Sequence, residues 1–326
     1  MSLRVGRFMP YPFPEPRRPV KRARLRIAKA PFRFQERPRS TSRTALTPEP
    51  ISNHVSVWGE GPIWHGDRLL YVDIETHKII AFTPSTGAEQ IWNVGQRVGT
   101  VVPRAKGGLV WAGDDGFFFL DEATGVSTAI ADPEPGLPDN RFNDGKCDAR
   151  GRFWGGTMDG ACREPTGALY RFDGPGRCVR VFDAGFAVTN GPTWSLDGRT
   201  MFFNDTVRRT VHAFSFDPDS GMLGASRVFL RFERGDGFPD GMTTDAAGRL
   251  WIAHWGAASV SCHDPVSGAE LARVRLPTDH ISNVAFGGPD LKTLFVTSAR
   301  FELSAEQLAA QRKEKTWQTM LTPPGS

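Results

Sequence analysis

The sequence predicts an all-β protein, a six-bladed β-propeller. Three observations point there: a recurring turn-then-strand unit, a spacing of 40 to 49 residues between units, and an oxygen-bearing side chain at a fixed distance ahead of each. The unit is clearest from Phe142 to Asp159, FNDGKCDARGRFWGGTMD. A polar cluster opens it, a turn at Asp148-Ala149-Arg150-Gly151 follows, and a strand-like run from Phe153 to Thr157 closes it.

Comparable units carry Tyr71, Trp111, Trp154, Phe202, Trp251 and Phe295 at the equivalent strand position. A period of about 40–50 residues with short strands and Gly/Asp turns is the mark of a propeller, because one four-stranded blade cannot bury both faces alone. The first unit predicts strands at Leu69–Asp73, Lys78–Thr83 and Glu89–Val94, with HVSVW (54–58) as a strand before them. The second predicts Val110–Ala112, Gly116–Leu120 and Ser127–Ile130. A longer polar loop, 231–239, precedes the fifth unit and has the character of a lid or specificity element.

Eleven or twelve residues before each marker stand Glu60, Thr100, Asn143, Asn190, Asp240 and Asn283. In a propeller these positions begin the innermost strands and converge on the channel. Two carboxylates, three carboxamides and a hydroxyl in register suit a hard divalent cation. A wet channel would also favour polar strand starts.

The motifs GEGPIW (59–64), NRFNDGK (140–146), GRFWGGTM (151–158), TNGPTWS (189–195), PDGM (239–242) and FGGPDLKTLFVTSAR (286–300) occur in this order. With them the chain resembles the senescence-marker-protein/gluconolactonase/regucalcin-like family from about Val57 to Gln311. The resemblance implies a six-bladed propeller and a metal-dependent sugar lactonase. It implies metal ligation by Glu60, Asn190 and Asp240, with Asp240 also moving protons. It implies substrate contacts from Arg141 and Asn143, and an acidic contact just after the GTM motif, where Asp159 stands. The implied cofactor is one divalent ion among calcium, zinc, manganese, magnesium and iron. The implied partner is a small sugar lactone such as glucono-, xylono- or arabinonolactone. The alternative class is a non-catalytic calcium-binding or regulatory propeller.

The chain of 326 residues is 39% hydrophobic, enough for a large single-domain core. Its net charge of +4 conceals a basic tail: residues 1–47 hold 13 Lys/Arg and 2 acids. Residues 1–50 read as a Pro/Arg-rich disordered segment, 51–311 as the propeller, and 312–326 as an irregular tail. Arg richness also fits an organelle-targeting segment or a nucleic-acid arm, but the prolines oppose an amphipathic helix. No apolar run resembles a secretory signal or membrane span. The four cysteines form no C-x-x-C pair, in keeping with reduced thiols and a cytoplasmic location. The expectation is therefore no nucleic-acid partner and no membrane. G-x-S-x-G, H-E-x-x-H, P-loop and G-x-G-x-x-G motifs are absent.

Near the end, Ser304 to Gln311 reads as a short helix with a Ser/Gln capping box. Where the family would supply a Gly-Gly turn and further strands, RKEKTWQTMLTPPGS shows no alternation. The last blade is thus expected to be incomplete, and the fold less stable than its relatives.

Overall fold

The computed structural model describes residues 48–310 and 317–320. The local logic of its strands begins at the turns. Asp148 Oδ1 accepts the amides of Arg150 and Arg152 at 2.9 and 3.1 Å, closing the turn. Its Oδ2 accepts Arg152 Nε at 2.6 Å and the indole N–H of Trp154 at 2.9 Å, so one carboxylate ties the turn to the core. The next repeat but one does the same. Asp245 accepts the amides of Ala247 and Arg249, each at 2.9 Å, Arg249 Nε at 2.6 Å and Trp251 Nε1 at 2.9 Å. The D-A-x-G-R-x-W pattern is a structural device, which explains why it recurs.

The strands form an all-β propeller. Among the described residues there are four antiparallel sheets of four strands and one of eight. The four-stranded sheets begin with the strands Gly59–His65, Val98–Pro103, Asn140–Cys147 and Thr189–Trp194. The eight-stranded sheet contains the strands starting at Phe238–Thr244 and at His280–Gly287, joined through a single pairing of Trp255 with His280. These six strands touch one another in sequence order, and the last touches the first, making a closed ring.

Apolar side chains fill the wedges between successive units. Leu70, Val72 and Ile79 meet Val98, Leu109 and Trp111. Trp154 and Leu169 meet Met201, Phe203 and Phe214. Trp251 and Val260 meet Ile281, Val284 and Val296. The ring closes where Phe295 and Trp64 pack on Leu69, Tyr71 and Phe82. A wedge shared by two sheets cannot be filled by either alone, so the hydrophobic drive that folds each unit also joins it to its neighbours.

Three expectations are corrected. The last unit is not short of strands: beside His280–Gly287 and Thr293–Ala299 lie Trp317–Met320 and then Glu49–Pro50, so each end of the chain contributes one. Residues 317–320 therefore leave the irregular tail, and 49–50 leave the N-terminal segment. The rest of both tails, 1–47, 311–316 and 321–326, lies outside the described residues. HVSVW is not a strand, apart from an isolated bridge of Trp58 to Ala299. The buried Asp73 carboxylate takes its backbone instead, accepting the amides of Val57 at 3.1 Å and Trp58 at 3.0 Å. The helix is found at Ala305–Ala310, with a reciprocal box in which Ser304 N–H donates to Gln307 Oε1 and Gln307 N–H to Ser304 Oγ. Among the described residues no helix is long and apolar enough to cross a membrane.

Removing the turn carboxylate should leave a fully buried indole N–H without an acceptor and an arginine without its partner. Asp148→Ala and Asp245→Ala are each expected to lower stability by about 2–4 kcal/mol. An unchanged midpoint in urea denaturation would show that these turns contribute nothing.

Candidate active site and metal centre

The six ring strands share an irregularity. Their pairing with the next strand breaks register between Glu60 and Ile63, Val98 and Thr100, Phe142 and Gly145, Asn190 and Thr193, Pro239 and Met242, and Ile281 and Asn283. A bulge bends the strand and re-aims a side chain that a regular pleat would direct elsewhere. The predicted polar positions sit at or beside these breaks. Close approach of the strands also demands small residues there. A Cβ on Gly241 would run into the Asn283 amide, and one on Gly99 into the Asn143 carbonyl.

Glu60, Asn143, Asn190 and Asp240 line one cavity. Glu60 and Asp240 are 3% and 5% exposed. Glu60 Oε2 accepts Gly61 N–H at 2.6 Å and Asn283 Nδ2 at 2.8 Å. Burial and the neighbouring Asp144 charge push the Glu60 carboxyl up to about 8. Asp240 is raised well above the usual carboxylate range, first by burial and then by the charges of Glu60 and Asp144.

Asp144 is a third buried acid that the sequence reading did not single out. Its oxygens accept Gly145 N–H at 2.8 Å and Gly191 N–H at 3.0 Å. The same strand supplies Lys146, half-buried, whose ammonium donates to the Met242 carbonyl at 2.7 Å and lies in the field of Asp144 and Glu60.

The remaining predicted residues fall in different places. Asn190 donates through Nδ2 to Thr206 Oγ1 at 2.9 Å, while its Oδ1 accepts Asn143 Nδ2 at 3.0 Å. Asn143 also donates to the Thr189 carbonyl at 2.8 Å. Arg141 stands behind Asn143, outside the cavity lining, and donates to Asn143 Oδ1 at 2.8 Å and to the Phe142 carbonyl at 3.0 Å. It positions the amide. Thr100 and Asn283 do not line the cavity either: Thr100 donates to the Gly145 carbonyl, and Asn283 clamps Glu60.

Asp159 stands apart. Its carboxylate accepts the amides of Ala161, Arg163 and Glu164, closing the turn after its strand, and the cavity lining does not include it. Besides Glu60 and Asp240, the acid that lines the cavity is Glu302, beside Phe301, after the last long strand. Trp58, Trp255, Phe238, Met158 and Val188 also line it. Phe238 comes from the predicted specificity loop, whose Asp236 instead pairs with Arg273. Trp58, Val188 and Phe238 each stand two residues before an axial position, and Met158 and Trp255 each four after a strand marker. They share the repeat register, but their apolar character gave no chemical reason to read them as a site.

Among the described residues no three His, Cys, Asp or Glu side chains form a ready metal cluster. The predicted set has two acids and takes its third donor from the Asn190 amide. Its chemistry still fits a hard cation. Glu60 and Asp240 are buried oxygen donors whose proton affinity is raised, first by burial and then by neighbouring carboxylate charge, so a cation placed between them would relieve both.

The SMP-30/gluconolactonase/LRE-like family model matches residues 58–300. The chain is 38% identical over 257 residues to regucalcin of Danio rerio, covering 78% of this chain and 86% of that protein. It is 36% identical over 245 residues to the pentonolactonase XacC of Haloferax volcanii, covering 74% and 81%. Its backbone superposes on a calcium-binding protein, regucalcin, of Agrobacterium tumefaciens with a TM-score of 0.80 at 28% identity, covering 85% and 94% of the two chains.

The raised carboxyls set a pH dependence. An acid whose folded value is raised stabilises least once pH exceeds that value, because the unfolded chain ionises it freely. Across pH 6.5 to 8 the metal-free protein should lose stability as Glu60 is forced to ionise. His212, His254, His263 and His280, whose folded values are lowered by burial, act in the opposite direction near pH 6.5, so the Glu60 contribution is read as the difference from the Glu60→Gln variant. A divalent cation should raise the melting temperature more at pH 8 than at pH 6.5, and Glu60→Gln should flatten both trends. Melting curves that are flat with pH and indifferent to every divalent ion would refute the site.

Proposed function

The chain belongs to the SMP-30/gluconolactonase/LRE-like family, and from that premise we propose that it is a metal-assisted hydrolase that opens a lactone ring. The sugar (aldono-) lactones are the first class to test, since lactonase is the name several relatives carry. The same reading counts the eight-stranded sheet as two blades joined at one pairing, for six in all. The observation that carries the proposal is the convergence of Glu60, Asn190 and Asp240 with Asn143 on one cavity, two of them as buried acids.

Glu60, Asn190 and Asp240 would hold the ion. When bound it supplies Lewis acidity, polarising the lactone carbonyl and lowering the pKa of water. Asp240 accepts a proton from the attacking water and returns one to the leaving ring oxygen. Its site favours that task, because burial and then the Glu60 charge raise the carboxyl's proton affinity above that of an ordinary carboxylate. Glu60 is fixed by the Asn283 amide, so Asp240 works against a rigid neighbour. The Asn143 amide, oriented by Arg141, faces the ester oxygens and holds the ring against the pair. The cavity's aromatic lining excludes competing water. A reducing, cytoplasmic setting is in keeping with the four free cysteines.

The alternative of a calcium-binding propeller without turnover draws on the description of the Agrobacterium protein. Hydrolysis of glucono-, xylono- and arabinonolactone by chelator-stripped protein, resupplied with single metals, separates the two. Metal-restored turnover supports the hydrolase; metal-raised stability with no turnover of any lactone supports the binder. Asp240→Ala is expected to lower kcat by about 100-fold or more. Asn143→Ala should raise KM more than it lowers kcat, and a variant with unchanged KM would remove Asn143 from substrate positioning.

A further inference from the structure

We propose that the preferred lactone carries an aryl or alkyl remainder, rather than a ring of hydroxyls, on the side away from the reacting ester. The proposal rests on the lactone-hydrolase reading and narrows its substrate. It follows from counting what the cavity can offer a hydroxyl group.

Most polar atoms at the cavity are already engaged with one another. Both amide hydrogens of Asn143 are donated, to Thr189 and Asn190, and its oxygen accepts Arg141. Asn190 donates one of its two hydrogens to Thr206, and the Thr206 hydroxyl hydrogen goes to the Pro239 carbonyl at 2.8 Å. The free oxygens of Glu60 and Asp240 belong to the ion and the reacting ester in the proposed reading. Should Asn190 turn its oxygen to a metal ion, one Asn143 hydrogen is released, but beside the ion, where the ester oxygens bind. The Nε–H of Arg141 and the indole N–H of Trp58 have no partner, yet both atoms are buried. Cys162 adds only a weak donor. Glu302 and the Trp255 indole remain for the rest of the substrate.

The rest of that surface is apolar. Trp58 is the centre of an aromatic wall, 4.8 Å from the Phe301 ring at an interplanar angle of 25° and 5.1 Å from the Trp255 ring. Trp255 in turn stacks on His280 at 4.2 Å and 12°, which holds it upright. Phe238, with the Arg209 guanidinium 3.9 Å from its ring centroid, extends the surface together with Met158 and Val188. A flat hydrocarbon face gains contact everywhere on such a wall. Each hydroxyl that enters unpaired forfeits its water and weakens binding roughly tenfold.

The test uses ligands that cannot be hydrolysed, so that binding is read apart from turnover. A benzo-fused δ-lactam and gluconolactam are titrated into the full chain with a divalent cation present, by calorimetry and by tryptophan fluorescence. The fused lactam is expected to bind at least about tenfold more tightly. Phe301→Ala, a half-exposed position, should weaken the fused lactam about tenfold and gluconolactam less than about twofold. Equal or tighter binding of gluconolactam, no binding of either, or an equal loss for both in the variant overturns the proposal. The corresponding lactones are assayed in parallel. Tight lactam binding without any lactone turnover overturns the hydrolase reading and keeps the ligand class, whereas a higher kcat/KM on gluconolactone keeps the hydrolase reading and overturns the ligand class.

Discussion

Three carboxylates, Glu60, Asp144 and Asp240, are buried where the ring strands meet, and the surrounding structure is arranged to tolerate them. Isolated buried charge is expensive, so each acid needs donors, a counter-ion or a proton. All three solutions are present. Backbone amides of Gly61, Gly145 and Gly191 point inward, Lys146 brings one positive charge, and Glu60 and Asp240 retain protons beyond the usual range. A protein selected for stability alone would place apolar side chains here. The arrangement is strained in charge rather than in shape, and that is the condition in which a cation or a reacting group is most strongly favoured.

The pleat explains how these groups reach the axis. A regular strand alternates its side chains, and the ring leaves little room between neighbouring strands. Register breaks in all six ring strands, with small residues such as Gly99 and Gly241 at the crowded positions, resolve the conflict. The bulges are thus common to the six strands, while the residues they present differ. This separates a scaffold that repeats from a site that does not: Glu60, Asn190 and Asp240 meet only because each repeat contributes one different donor.

That separation also decides what could be read from sequence. The turn carboxylates Asp148 and Asp245 act within seven residues of chain, and the Ser304–Gln307 box within four, so local pattern sufficed. Glu60, Asn143, Asn190 and Asp240 were legible because the repeat put them in register. Arg141, two positions before the axial Asn143, donates to that amide, whereas Trp58, Val188 and Phe238, two before Glu60, Asn190 and Asp240, line the cavity, so position in the repeat alone does not tell the two roles apart. Asp159 accepts three amides, a role that sequence does not distinguish from a ligand contact, because a carboxylate at a strand end looks the same in either. The aromatic wall joins Trp58, Trp255 and Phe301, far apart in sequence and at unrelated points of their repeats, so nothing linear connects them. Trp317–Met320 lacks alternation because a strand needs only backbone groups to join an edge.

The strand Glu49–Pro50 pairs with Trp317–Met320, and Asn283 reaches back across 223 positions to Glu60. During synthesis the strand at Glu49–Pro50 therefore waits, unpartnered, until Trp317–Met320 has been made. Until then the ring is open, the wedge around Leu69, Tyr71 and Phe295 is half empty, and Glu60 lacks its clamp. Folding of the individual sheets can precede that moment, but Glu60 and Asp240 cannot be brought together in a closed ring before it. The cavity is thereby a property of the closed ring alone, and a chain cut short of its last sheet holds folded sheets without it.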